Sequence, residues 1–105
     1  AGLIHWHLSA FAIHTRARGF QPWPGAYTTF RGQRLHIWPS NPHDSRLGPP
    51  GAIHIEARKL LVACGSGTAL EIQELQLEGR KRVTADAFIN GNRLVQDEML
   101  GEKTN

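Results

Sequence analysis

From residue 27 onward, apolar and polar positions alternate with a period of two, and helical spacing is confined to the margins of the chain. Near the start, "LSAFAIHTRARG" places Ala10, Ile13 and Ala17 on one stripe. Ser9 is placed to cap that helix, and Gly19 can take the left-handed turn that ends it. In "FQPWPG" each proline pushes its predecessor toward extended geometry, so a stiff bend is expected around Trp23. "AYTTFR" and "RLHIW" then flank Gly32-Gln33, which reads as a two-residue type II′ hairpin loop. On the second strand Leu35 and Ile37 share the inner face, while His36 and Trp38 share the outer one. The prolines and glycines of "PSNPHDSRLGPPG" (39–51) predict a loop.

Beyond that loop, "AIHIEA" alternates with Ile53 and Ile55 inward, and "KLLVAC" is continuously apolar, as in a strand covered on both faces. Gly65-Ser66-Gly67 turns the chain into "TALEIQELQL", where the apolar parity switches from Leu70 and Ile72 to Leu75 and Leu77. A strand keeping all four inside needs a bulge near Gln73-Glu74. "TADAFING" predicts a second short helix, capped by Thr84 and ended by Gly91. Leu94, Val95, Met99 and Leu100 are expected to pack back on the sheet, and residues 101–105 to fray. Five or six short strands with helices only at the ends predict an all-β (mainly β) fold. It is expected to be a small antiparallel OB-like barrel occupying residues 1–105 as one domain.

Charge sharpens this picture. The formal net charge is +3, and it is uneven: residues 1–60 carry seven basic side chains against two acidic, the remainder five against seven. Nine of the twelve basic residues are Arg, whose planar fork suits phosphate contacts and stacking on bases. No stretch approaches the ~20 apolar residues of a membrane span, so no membrane partner is expected. The lone Cys64 sits in an apolar run as a small hydrophobe with no basic neighbour to activate it, and a cytoplasmic setting follows. The opening "AGLIHWHL" lacks Met and turns apolar at once, which suggests a fragment of a longer chain.

Candidate chemistry is sparse. The carboxylates are scattered, no glycine-rich phosphate loop opens a helix, and the six His lack cysteine or carboxylate partners at zinc spacing. No catalytic, cofactor or metal residue is therefore assigned. Aromatic and basic residues interleave through 16–38, as on single-strand RNA platforms, pointing to Arg16, Arg18, Arg31 and Arg34. Trp23 between prolines reads as a packing wedge or a base-stacking plate, whereas Trp38, on an outward face beside His36, is the stacking candidate. A further basic cluster stands at Arg80, Lys81 and Arg82.

These residues carry a resemblance. "PWPGA", "LHIW", "ACGSG" and "LQLEGRKRVTADAF" fall in the order and spacing of the C-terminal domain of the methionyl-tRNA formyltransferase family. "HWHLSAFAIHTRARGF" is similar to that family's opening segment, so the likeness covers nearly the whole chain. It implies an OB-like barrel following a Rossmann-type catalytic domain that moves formyl from 10-formyltetrahydrofolate to initiator methionyl-tRNA. The family's catalytic and folate motifs have no counterpart here, so this chain would bind no cofactor itself. The implied role is holding tRNA backbone, carried over to Arg18 and to the Arg80-Lys81-Arg82 run. Thr15, Arg16 and Ala17 depart from the family's Asn and two large apolar residues, leaving either a looser first helix or an outward-reaching Arg16. His5 stands where the family usually has an acidic residue. Formyltransferases acting on sugar nucleotides or on folate share a similar "PGA" turn, so Trp23 is read as architecture. A structural barrel from such an enzyme, with no nucleic-acid role, is the alternative; a free-standing RNA-binding OB protein is a third reading.

Overall fold

The computed structural model describes residues 2–19 and 26–101 of the chain; residues 20–25, where a stiff bend is expected around Trp23, and residues 102–105 lie outside the described residues. The elements run α1 (Ala10–Gly19), β1 (Tyr27–Phe30), β2 (Gln33–His43), β3 (Ile53–Glu56), β4 (Lys59–Cys64), β5 (Thr68–Leu77), β6 (Val83–Thr84) and α2 (Ala85–Asn92). The strands form one antiparallel sheet in the order β1-β2-β5-β4-β3, with β6 added to β5. The mainly-β class and the two marginal helices agree with the sequence reading.

The alternation sorts the faces as expected. Leu35, Ile37, Leu70, Ile72, Leu75 and Leu77 are all buried in a single core with Phe30, Ile53, Leu60 and Val62. The parity switch within β5 is absorbed by an extra residue: Glu74 faces Trp38, Ile72 faces the adjoining Pro39, and Gln73 is the bulge between them. Without it, one of the two apolar pairs, Leu70 and Ile72 or Leu75 and Leu77, would point to solvent. On α1, the stripe Ala10, Ile13 and Ala17 is buried, and the Ser9 hydroxyl accepts from the Ala12 N–H at 3.1 Å. Small Ala17 lets α1 sit close to the sheet, while Arg16 points outward.

The sheet is not closed by strand pairing, so the expected barrel is loosely shaped. β1 and β3 remain its two margins, and the segment 97–101 lies across the gap between them. Ile53 N–H donates to Glu98 O at 2.8 Å and Leu100 N–H to Gly51 O at 2.8 Å; Gly101 N–H reaches Thr29 O at 3.0 Å. One chain segment thus satisfies backbone groups on both margins that would otherwise be left open. Leu100 is buried there, but Val95 and Met99 are exposed, against the expectation that both pack inward.

Three further expectations are corrected. Phe30 pairs with Gln33, so the hairpin loop is Arg31-Gly32, one residue earlier than predicted, and both residues have positive φ (48° and 81°). That is a type I′ turn, whose twist matches the strands, and Arg31 rather than glycine takes its first position. Residues 39–43 continue β2 where a loop was expected; the ladder to β5 shifts register at Pro39 and again before Pro42, the kind of irregularity at which a strand tolerates proline. Helix α2 begins at the Thr84 cap as predicted, but it passes Gly91 and ends with Arg93 in the left-handed conformation.

The turn at Gly65 fixes the N-terminal segment. Its N–H donates to Trp6 O (3.1 Å) and Leu8 O (2.9 Å), and a Cβ there would lie 1.8 Å from His7 O. Only glycine permits that approach.

Candidate nucleic-acid interface

The register of β1, β2 and β5 turns Tyr27, Arg34, His36, Trp38, Glu74 and Gln76 to the face opposite the core. On that face two guanidinium groups lie over aromatic rings. Arg34 sits 4.1 Å from the Tyr27 ring centroid and Arg82 sits 4.0 Å from that of Trp38. Arg34 is also 3.9 Å from a Glu78 carboxylate oxygen. Arg82 forms an ion pair with Glu74, its Nε donating to Oε1 at 2.6 Å. The loop 78–82 folds toward this face because Gln76 Nε2 donates to Arg80 O at 2.8 Å.

The eight residues read from the sequence therefore separate. Arg34 and Arg82 share the outer face through their seats on Tyr27 and Trp38, whereas Arg80 and Lys81, in the loop before Arg82, line a hollow against α2 with Leu77, Val83 and Phe88. Arg80 and Lys81 are exposed and make no ion pair among the described residues. Arg16 stands apart on α1, exposed, beside Leu3 and His5. The side chain of Arg18 lies outside the described part.

Trp38 faces outward, but it is 7 % exposed and Arg82 covers it, which corrects its reading as an open stacking plate. Arg31 is also committed elsewhere. Its Nε and Nη2 fork Glu98 at 2.7 and 2.9 Å, its Nη1 donates to Asn92 O at 3.0 Å, and the guanidinium lies over Phe30. The hydrogen bond to Glu98 raises the Arg31 pKa, and the same bond holds the Glu98 carboxyl below its ordinary value. The cations Arg46, Arg58 and Lys59 belong to other elements, around the β3–β4 hairpin and the turn at Gly67.

The sequence reading missed the partners. Tyr27, Glu74, Gln76 and Glu78 set which cations are covered and which are presented. Tyr27 seats Arg34 because the loop is Arg31-Gly32, which pairs Arg34 with Thr29; a loop one residue later would pair Arg34 with Arg31 instead. His36, on the same face beside Tyr27, has its pKa lowered by burial first and by the Arg34 charge second.

Other chemistry has little foothold. Cys64 is buried and its thiol is pushed up to about 12 by burial, so it stays protonated and unreactive. His43 and His54 each pair with a carboxylate, Glu71 at 3.2 Å and Glu56 at 3.1 Å. Among the described residues no three His, Cys, Asp or Glu side chains gather as a metal site would need, and no helix is long and apolar enough to cross a membrane.

Comparison with known proteins identifies the family of the chain. The family model described as "Formyl transferase, C-terminal domain" matches residues 1–93. The methionyl-tRNA formyltransferase of Solibacter usitatus is 57% identical over 102 residues, 96% of this chain and 32% of that protein. The enzymes of the same name from Koribacter versatilis and Acidobacterium capsulatum are 48% and 43% identical, each over 95% of this chain and 32% of the relative. The chain spans about a third of the length of these curated relatives. With its six-stranded sheet, its two short helices and this match along 1–93, the chain belongs to the formyl transferase C-terminal domain family.

Proposed function

We propose that this chain is the tRNA-holding part of a methionyl-tRNA formyltransferase. In this reading a Rossmann-type domain elsewhere in the parent enzyme transfers formyl from 10-formyltetrahydrofolate to initiator methionyl-tRNA. The present chain takes no part in the chemical step and binds no cofactor. Its task is to grip the polyanion: Arg80 and Lys81 meet phosphates directly, Arg16 and Arg18 add contacts from α1, and Arg34 and Arg82, whose charge Glu78 and Glu74 already partly meet, act secondarily from their seats on Tyr27 and Trp38. Such contacts supply affinity without reading sequence.

The observation that carries the reading is a pair of exposed cations, Arg80 and Lys81, with no carboxylate partner among the described residues and with the ring-seated Arg82 next in the chain, in a chain whose relatives are named for a tRNA substrate. Aromatic seating strengthens it. A guanidinium stacked on a ring loses little further freedom when it meets a phosphate.

The test is a titration of the 105-residue chain with initiator tRNA at rising salt. Each phosphate contact steepens the fall of log K with log salt by about 0.9. The expected result is weak binding that declines steeply as salt rises. No binding at low salt, or binding indifferent to salt, would instead leave a structural barrel of the sugar-nucleotide or folate type.

A further inference from the structure

Between the loop 78–82 and α2 lies a hollow that the phosphate-holding role leaves unexplained. Its floor is apolar: Leu77 and Phe88 are buried, and Val83 packs partly buried against the same core. Arg80 and Lys81 stand on its rim, and among the described residues no carboxylate lines it. At its mouth is Gly91, where an added Cβ would meet no atom within 4 Å.

The walls are fixed before any ligand arrives. The Phe88 ring packs on Phe30 with centroids 5.3 Å apart. Arg80 N–H donates to Leu77 O at 2.9 Å while Arg80 O accepts from Gln76. A rigid apolar floor beside two cations that make no ion pair among the described residues fits a ligand with flat apolar faces and an anionic group attached close by. A metal cation has nothing to bind there, and a simple anion would leave the floor unused. RNA offers both halves, since an unpaired base can leave its stack and lie on protein while its phosphate meets Arg or Lys.

We propose that this hollow takes one unpaired nucleobase of the bound RNA, with an adjoining phosphate on Arg80 and Lys81. The proposal rests on the reading that the chain holds tRNA. It adds a base-contacting subsite to what would otherwise be a purely electrostatic surface.

Gly91→Leu fills the mouth while leaving every charge in place, and leucine suits a helix better than glycine, so the fold is retained. The variant is expected to bind initiator tRNA about tenfold more weakly, the size of one lost base contact, with an unchanged salt slope. Thermal unfolding checks that the variant is folded. In parallel, amide resonances of Val83, Ala87 and Gly91 are followed by NMR as AMP or inorganic phosphate is added to the unaltered chain. AMP is expected to shift them and phosphate to leave them in place.

Wild-type tRNA affinity in folded Gly91→Leu, or equal shifts from AMP and phosphate, would overturn the subsite and leave the electrostatic grip standing. AMP shifts with no tRNA binding by the unaltered chain would support the hollow as a nucleotide site and overturn the tRNA reading instead.

Discussion

Two basic turns of this molecule look alike on paper and differ in what their charge can do. At the β1–β2 hairpin, Arg31 takes a left-handed conformation and spends its guanidinium on Glu98, Asn92 O and the Phe30 ring. In the loop after β5, Arg80 and Lys81 make no ion pair among the described residues and project to solvent. The first turn ties the hairpin to the end of α2 and to the segment 97–101 that spans the open side of the sheet. The second presents charge. Formal charge is a property of the sequence, whereas available charge depends on a partner that for Arg31 lies 67 residues away.

Because both turns hang from one sheet, breaking the sheet should remove both at once. Gly65→Ala drives a methyl group into His7 O and should destabilise the fold by ~3 kcal/mol or more, seen as a large fall in Tm. A normal Tm would mean that the N-terminal segment does not pack on this turn.

Next in size is the double reversal Arg80→Glu, Lys81→Glu. It should weaken tRNA binding on the order of a hundredfold at low salt and flatten the salt slope by about two contacts. Arg82 is left alone because it also covers Trp38 and pairs with Glu74. Retained affinity would exonerate the loop.

Glu98→Gln sharpens the other side of the comparison. The folded pKa of Glu98 is below its ordinary 4.5, so its contribution is complete above that value and fades as pH falls through the lowered one. The variant should start from a lower Tm at neutral pH and lose less of it on acidification than the unaltered chain does. Parallel Tm–pH curves would contradict the latch.

The smallest effect belongs to His36. Its folded pKa lies below 6.5, so the unfolded chain takes up the proton first and stability falls as pH drops from about 6.5 toward the folded value. His36→Gln should flatten the stability curve in that window, measured by denaturant unfolding at stepped pH.

Much of the fold could be read in advance where a local rule and the core agreed. Period-two alternation identified Leu35, Ile37, Ile53, Leu70 and Leu75 as inward, and the parity switch pointed to a bulge near Gln73-Glu74, which the structure puts at Gln73. Thr84 and Ser9 announced their helices because capping is local. What escaped was set by distant partners. Pro39 and Pro42 read as breakers, yet register shifts against β5 accommodate both within a strand. Trp38 alternates outward as expected, but Arg82 returns over it from beyond β5. The candidate site was legible as a set of cations and illegible as a division between bound and unbound ones, since no periodicity encodes where Glu74 and Glu98 will arrive.

The most direct test sets single neutral replacements side by side. Arg80→Gln and Arg31→Gln each remove one formal charge, and each is titrated with initiator tRNA across a salt series. The account predicts that Arg80→Gln weakens binding several-fold and lowers the salt slope by about one contact, while Arg31→Gln overlays the unaltered chain in both. If Arg31→Gln loses as much affinity and as much slope as Arg80→Gln, the distinction between latched and presented charge is wrong.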